Sequence, residues 1–384
     1  MIKVSNMDSV NVPVWLSLGT AVALCFSVLC LRAQSTQSRG IADGGPATKA
    51  TLLGPTGLAV DESNLYIVES GRRRIRRVNL KTGIITTVAG GGSRCLEEGN
   101  TSPRPGCLGS PQRVAVDHFG NVYVTDEDDG RVIKVNVEVH SFIVVAAGKI
   151  KLSHDSGYEK TAELEWPAGI AIDPSGGLFF ADKATHTIYR LALHPNSLGI
   201  ILGTGGQGFK GDGGPSKDAE LRFPDGLARA EQGNLFVADS DNCRIQRIDG
   251  KTGIVTTLAG TEEGGSTCEQ LPPAGATREK PTDVAVGQNG TVFFLQTDRD
   301  RVRRFDTLTG SVSTVAGNGE SGFSGDGGLA TAAALHHPEG IAIDKDGNLY
   351  ISDTHNNRVR RVDVKTGTIT TIAGKGPVSP DIDL

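Results

Sequence analysis

The sequence has little of what a helical protein is made from: two methionines, two tryptophans and no Ala-rich helical run of note in 384 residues. It also lacks a basic excess. Lys and Arg number 39 against 44 Asp and Glu, giving a net charge of −5 and a pI of about 5.9, so no overall field draws nucleic acid. The densest basic stretch, Arg72-Arg73-Arg74-Ile75-Arg76-Arg77, reads as a solvated strand with Ile75 and Val78 on its buried side, because weaker copies of the pattern recur. Long apolar runs are missing too, with one exception. Val14 to Leu31 is uncharged and mostly apolar, and the small residue Ala33 follows it. Residues 1–33 therefore read as a signal peptide cleaved near Ala33, or as a signal anchor if retained. The remainder is expected outside the cytoplasm, secreted or periplasmic, meeting a membrane only through this segment if it stays uncleaved.

Cysteine is sparse but even in number. Of six, Cys25 and Cys30 fall inside the export segment, which leaves Cys95, Cys107, Cys243 and Cys268. In an exported chain four cysteines suggest two disulfides. Glycine, by contrast, is abundant: 51 residues, about twice the average share of roughly 7%. Without a Gly-x-y period this means many turns and many short strands.

Those turns recur on a fixed period. A Pro-x-Gly-apolar-Ala-apolar-Asp box is clean at Pro55–Asp61, Pro167–Asp173 and Pro338–Asp344, and degenerate at Pro111–Asp117, Pro224–Ala230 and Pro281–Gly287. The last positions, 61, 117, 173, 230, 287 and 344, are spaced by 56, 56, 57, 57 and 57 residues. Four Val/Ile/Leu/Tyr-rich runs follow in each copy; in the sixth they are 340–344, 349–353, 358–363 and 368–373. Turns such as Asp344-Lys-Asp-Gly347-Asn348 and Lys365-Thr366-Gly367 separate them, with Gly supplying positive φ and Asp or Asn bonding its own backbone. Four antiparallel strands repeated six times predict an all-β, six-bladed propeller over residues 34–384.

The run Gly-Ile-Ala-Ile-Asp, Gly-Asn-Leu-Tyr-Ile-Ser-Asp and Asn-Asn-Arg-Val-Arg-Arg-Val-Asp within 340–363 resembles an NHL repeat. Gly322-Phe-Ser-Gly-Asp-Gly-Gly328 is similar to the interblade loop of the long-repeat variety found in exported bacterial proteins and in extracellular teneurin propellers. The resemblance implies the fold and leaves function open. The start of the ring, Ala42-Asp43-Gly-Gly-Pro-Ala, matches the second half of that loop, and Ala373-Gly-Lys-Gly376 matches the first half. The ring is therefore cut within a loop, with four contiguous strands expected in every blade. Strand direction places the second-to-third turn and the outgoing loop on one face, so the expected pairs are Cys95–Cys107 and Cys243–Cys268.

Few residues look like chemistry. Gly203–Gly208 and Gly317–Gly322 match G-x-G-x-x-G, but a turn rather than a helix follows, so no dinucleotide cofactor is expected. The Asp-Gly-Gly loops at Asp43, Asp212 and Asp326 offer one carboxylate each, too few for calcium, and read as caps of their own turns. Second strands end in Glu69, Asp126, Asp182, Asp239, Gln296 and Asp353, expected to lock the next turn with Arg74, Arg131, Arg244, Arg301 or Arg358. First strands line the central channel of a propeller, so Thr56, Gln112, Ala168, Asp225, Thr282 and Glu339 should ring its mouth. His336 and His337 stand beside that ring, with His186 and His355 in turns of the same face.

The expected function is a non-enzymatic binding or scaffold module, monomeric, recognising a protein, peptide or glycan with the divergent loops of that face. No catalytic residue and no cofactor are assigned. The alternative is a metal-dependent lyase or lactonase, of the kind known among six-bladed propellers, using Asp225, Glu339 and His337. Asn100-Thr-Ser and Asn289-Gly-Thr would accept glycans in a eukaryotic secretory route.

Overall fold

The computed structural model describes residues 43–91, 107–138, 141–152, 160–193, 196–260, 280–287 and 289–376. They form six antiparallel sheets in chain order, and the only helices among them are single 3-10 turns. Blade 1 consists of Pro55–Val60, Asn64–Glu69, Arg74–Asn79 and Ile85–Gly90, and blade 6 of Gly340–Ile343, Leu349–Asp353, Arg358–Val362 and Ile369–Ala373. The fold is a six-bladed β-propeller. The segment Val14–Leu31 lies outside the described residues, and among those described no helix is long and apolar enough to cross a membrane.

In blades 1, 2, 3 and 6 the local chemistry is visible in the first hairpin. The box Asp accepts from the turn it closes: Asp61 from the backbone N–H of Ser63 and Asn64, Asp344 from Asp346 and Asn348. The second-strand tyrosines then donate their hydroxyls to the same carboxylates, Tyr66 to Asp61, Tyr123 to Asp117 and Tyr350 to Asp344, at 3.0–3.2 Å. Burial, reinforced by the adjacent carboxylate, raises the Tyr350 hydroxyl to about 12. Lys-Thr-Gly turns place Gly83, Gly253 and Gly367 at φ near +69°, a conformation that costs other residues side-chain clashes.

Apolar side chains of neighbouring blades meet in six separate clusters, one at every blade junction. At the ring closure Leu58, Leu65, Ile67 and Val78 of blade 1 pack against Ala342, Tyr350 and Val359 of blade 6, with Ala47, Ala50 and Leu52 wedged between. Each fully buried aliphatic side chain contributes about 1.5–3 kcal/mol. The closure copies an intact junction. Gly374 and Lys375 donate to the carbonyls of Ala47 and Ala50 as Gly317 and Asn318 donate to Ala330 and Ala333. Asn357 adds an acceptor for the Gly54 N–H at 2.9 Å.

Three expectations are corrected. The second sheet has five strands, because Ser141–Leu152 runs on and pairs with Lys160–Leu164 in a hairpin where three other junctions carry the Asp-Gly-Gly loop. Arg74 and Arg76 are not solvated: they are 1% and 0% exposed, with Arg74 bound bidentately to Glu69 and Arg76 to Asp43 at 2.7 Å. The loop aspartates, finally, do more than cap their own turns. Asp43 ties Arg76 and Thr87, Asp212 accepts from Thr257, and Asp326 binds Arg360. Each clamps its loop onto the outer strands of the blade that follows.

Candidate functional site at the channel mouth

First strands face the axis, and neighbouring ones approach until backbone meets backbone at the box glycine. A Cβ at Gly57, Gly169, Gly226 or Gly340 would lie 2.0–2.6 Å from main-chain or side-chain oxygen of the next blade. Blades 2 and 5 have no such glycine. Arg113 and Asp283 stand there instead, on opposite sides of the ring, and both are buried at 7% and 5% exposure.

Their side chains converge at the axis. Arg113 Nη2 donates to Asp225 Oδ1 of blade 4 at 3.3 Å and to the Thr282 carbonyl of blade 5 at 3.4 Å, and its Nε lies 4.0 Å from Asp283 Oδ2. One guanidinium thus bridges blades 2, 4 and 5 across the channel. Asp283 also accepts the backbone N–H groups of Val284 and of Ile341 in blade 6. Burial pushes its carboxyl up to about 6 despite Arg113. Burial works against the Arg113 charge, but Asp225, Asp283 and Glu339 outweigh it and hold the guanidinium above its ordinary range. Sequence reading missed both residues, although their signal was present: a charge at the box-glycine position, twice, three blades apart.

The mouth lies above this plug. Asp225 is held by Lys183 at 3.1 Å as well as by Arg113. Gln112 donates to Glu127 at 2.8 Å, and burial lifts the Glu127 carboxyl above its usual value. Thr56 donates to the Gln112 carbonyl at 3.2 Å, Thr282 bonds the hydroxyl of Thr297, and Ala168 is buried in a blade junction. Glu339 and His337 are brought together, with Nδ1 and Oε1 3.2 Å apart. Their third neighbour is His355, whose ring stacks on that of His337 at 4.5 Å; one ligand atom from each of the three lies within 4.8 Å of the others. Asp225, engaged by two cations, is not part of that group. On the far side, Trp166 and Phe223 form a ring pair 6.4 Å apart with His186 edge-on to Phe223, and Trp166 is 49% exposed.

The acidic ends of the second strands are structural. Glu69, Asp126 and Asp239 pair with Arg74, Arg131 and Arg244 at 2.7–2.9 Å. Blade 3 lacks the arginine, and there Asp182 accepts four backbone N–H groups. In blade 6 the cation near Asp353 is Arg360 at 3.6 Å, not Arg358, which instead covers the Phe323 ring at 3.9 Å. Cys107 and Cys243 are disulfide-bonded, while Cys95 and Cys268 lie outside the described residues. Of the G-x-G-x-x-G runs, Gly203 and Gly317 donate to the loops that cross between blades, as turn glycines do.

Comparison with known families matches residues 318–379 to the teneurin NHL domain and residues 221–248 to the NHL repeat. The chain is an NHL-repeat propeller. Among proteins similar to it, chicken (Gallus gallus) NHL repeat-containing protein 2 is 26% identical over 370 residues, covering 86% of this chain and 49% of that protein. Drosophila melanogaster teneurin-m is 26% identical over 343 residues, covering 82% of this chain and 11% of the relative. The NHL propeller thus spans half or less of the curated relatives it matches. Among solved structures, an auxiliary nutrient binding protein from Bacteroides thetaiotaomicron superposes with a TM-score of 0.60 at 15% identity, covering 86% of this chain and 72% of that one. A streptogramin B lyase superposes at 0.50 and 15% identity, covering 85% and 84%. At such identities the likeness is one of fold.

Proposed function

We propose that this NHL propeller is an exported, non-enzymatic binding module that recognises a protein, peptide or glycan through the face carrying its second-to-third turns. The observation that carries this reading is the pair of exposed Trp166 and half-buried Phe223 beside the Lys183–Asp225 ion pair. A large aromatic left half in solvent, on a backbone locked by Asp182, is how a rigid recognition hot spot is built. The channel supports the same reading, since the Arg113 guanidinium occupies its axis, 3.3 Å from Asp225 and 4.0 Å from Asp283. Export is supported by the apolar run Val14–Leu31 and by the disulfide-bonded state of Cys107 and Cys243; Cys95–Cys107 and Cys243–Cys268 are the pairs the repeat geometry favours. A metal-dependent lyase or lactonase built on Asp225, Glu339 and His337 has less support, because Asp225 already carries two cationic partners.

The test is an array of glycans and extracellular peptides probed with the full chain. Saturable binding is expected, weakened at least about tenfold by Trp166→Ala. Phe119→Ala, which removes the 74%-exposed aromatic of the opposite face, should leave it intact. Binding lost in Phe119→Ala but kept in Trp166→Ala would move the site to the other face and overturn the reading.

A further inference from the structure

The His337, Glu339 and His355 group belongs to blade 6 alone, although the backbone that carries it is common to the ring. Counted from the box proline and from the end of the second strand, blade 1 has Gly54, Thr56 and Gly71 at these places, and blade 3 has Trp166, Ala168 and Ala184. The scaffold therefore needs none of the three ligating side chains. What it supplies is placement. The His337 N–H is held by Asp300 Oδ1 at 2.6 Å, the Glu339 N–H by the Ser352 carbonyl at 3.2 Å, and the His355 N–H by the His336 carbonyl at 3.1 Å. Three backbone positions are pinned, and the side-chain ends already meet one another, His337 with Glu339 through Nδ1–Oε1 and with His355 by ring stacking.

We propose that His337, Glu339 and His355 form a binding site for a zinc-class divalent transition ion at the rim of the channel mouth. Two imidazoles and one carboxylate are ligands such ions accept at about 2.0–2.2 Å, and a three-residue set leaves the fourth position of a tetrahedron for an outside ligand. Imidazole nitrogen selects against calcium and magnesium, which take oxygen. Ligand atoms within 4.8 Å of one another must close to about 3.3 Å around a tetrahedral ion. The His337 Nδ1–Glu339 Oε1 edge is already there at 3.2 Å. The two imidazole planes are 9° from parallel, so their in-plane lone pairs do not yet converge. His355 is exposed, its ring lying between those of His337 at 4.5 Å and His336 at 4.8 Å, and a turn of that ring is the movement ion binding requires.

The assignment does not depend on the face's macromolecular ligand, so array binding and zinc binding can succeed or fail separately. Calorimetric titration of Zn2+ into the metal-stripped full chain is expected to give one ion per chain. His355→Ala and Glu339→Gln should each weaken it about tenfold or more. His118→Ala, in a turn of the opposite face, should leave it unchanged, and Ca2+ should give no saturable binding. Circular dichroism of the variants checks that they fold. The proposal is overturned if Zn2+ shows no saturable binding, if either site variant binds as the parent does, if His118→Ala abolishes binding, or if Ca2+ binds as tightly.

Discussion

Four of the six innermost strands touch the next blade through a glycine, whereas those of blades 2 and 5 put a charged side chain at the same place. The glycine blades show what the ring demands: backbone so close that no Cβ fits. The charged blades show what it tolerates when the side chain turns inward, and what that departure creates. Arg113 and Asp283 bring two charged side chains to the axis, and Arg113 reaches on to Asp225 at the mouth. A departure from the repeat at two opposed blades is thus one coupled feature, not two lapses.

The largest way to break this comparison is to remove one member of it. Arg113→Met leaves the buried Asp283 without its cation, while Asp225 keeps Lys183, and should cost about 3–5 kcal/mol in denaturant unfolding. Arg113→Gly/Asp283→Gly, which restores the repeat on both sides, should recover to within about 1 kcal/mol of the parent. A double variant as unstable as Arg113→Met would mean that the charges hold the ring together. Next comes Gly340→Ala, whose new Cβ falls 2.0 Å from the Thr56 carbonyl oxygen; a loss of about 3 kcal/mol is expected from main-chain displacement. A third pair sharpens the contrast between the cut junction and an intact one. Leu52→Ala at the closure and Leu335→Ala in the continuous loop between blades 5 and 6 both empty fully buried positions, and each should cost about 2–3 kcal/mol. A much smaller loss for Leu52→Ala would show that the closure packs more loosely than its hydrogen bonds suggest.

The smallest effect is a pH slope. Asp283 rises from 3.8 unfolded to about 6 folded, so the folded state holds the proton more tightly. Its contribution to stability is present below about pH 4 and is lost as pH rises through 6. The stability of the parent minus that of Asp283→Asn should therefore fall between pH 4 and 7, by up to about 1 kcal/mol per pH unit. A flat or rising difference would mean that Arg113 compensates the carboxylate fully.

Much of the fold was legible because its signals are local. A box proline, a turn glycine and an aspartate closing its own hairpin act within a few residues, and they repeat often enough to give blade number, strand order and the cut in the ring. The hairpin at 141–164 was not legible, since the repeat led to four strands in every blade and Lys160–Leu164 is a fifth that no other copy has among the described residues. At the mouth, the sequence placed Thr56, Gln112, Asp225, Thr282 and Glu339 at equivalent positions but could not say which would meet.

By itself, then, the sequence determined the ring, the inward-facing position in each blade and the gathering of the histidines near the last first strand. Only the tertiary structure decided how the channel mouth is divided. Asp225 went to Arg113 and Lys183, while Glu339 and His337 went to His355. The reason is physical: Arg113 reaches across the axis to Asp225, 112 residues further along the chain, and such a separation carries no trace of the meeting; once Asp225 is engaged there, Glu339 and His337 are left to their own blade's His355.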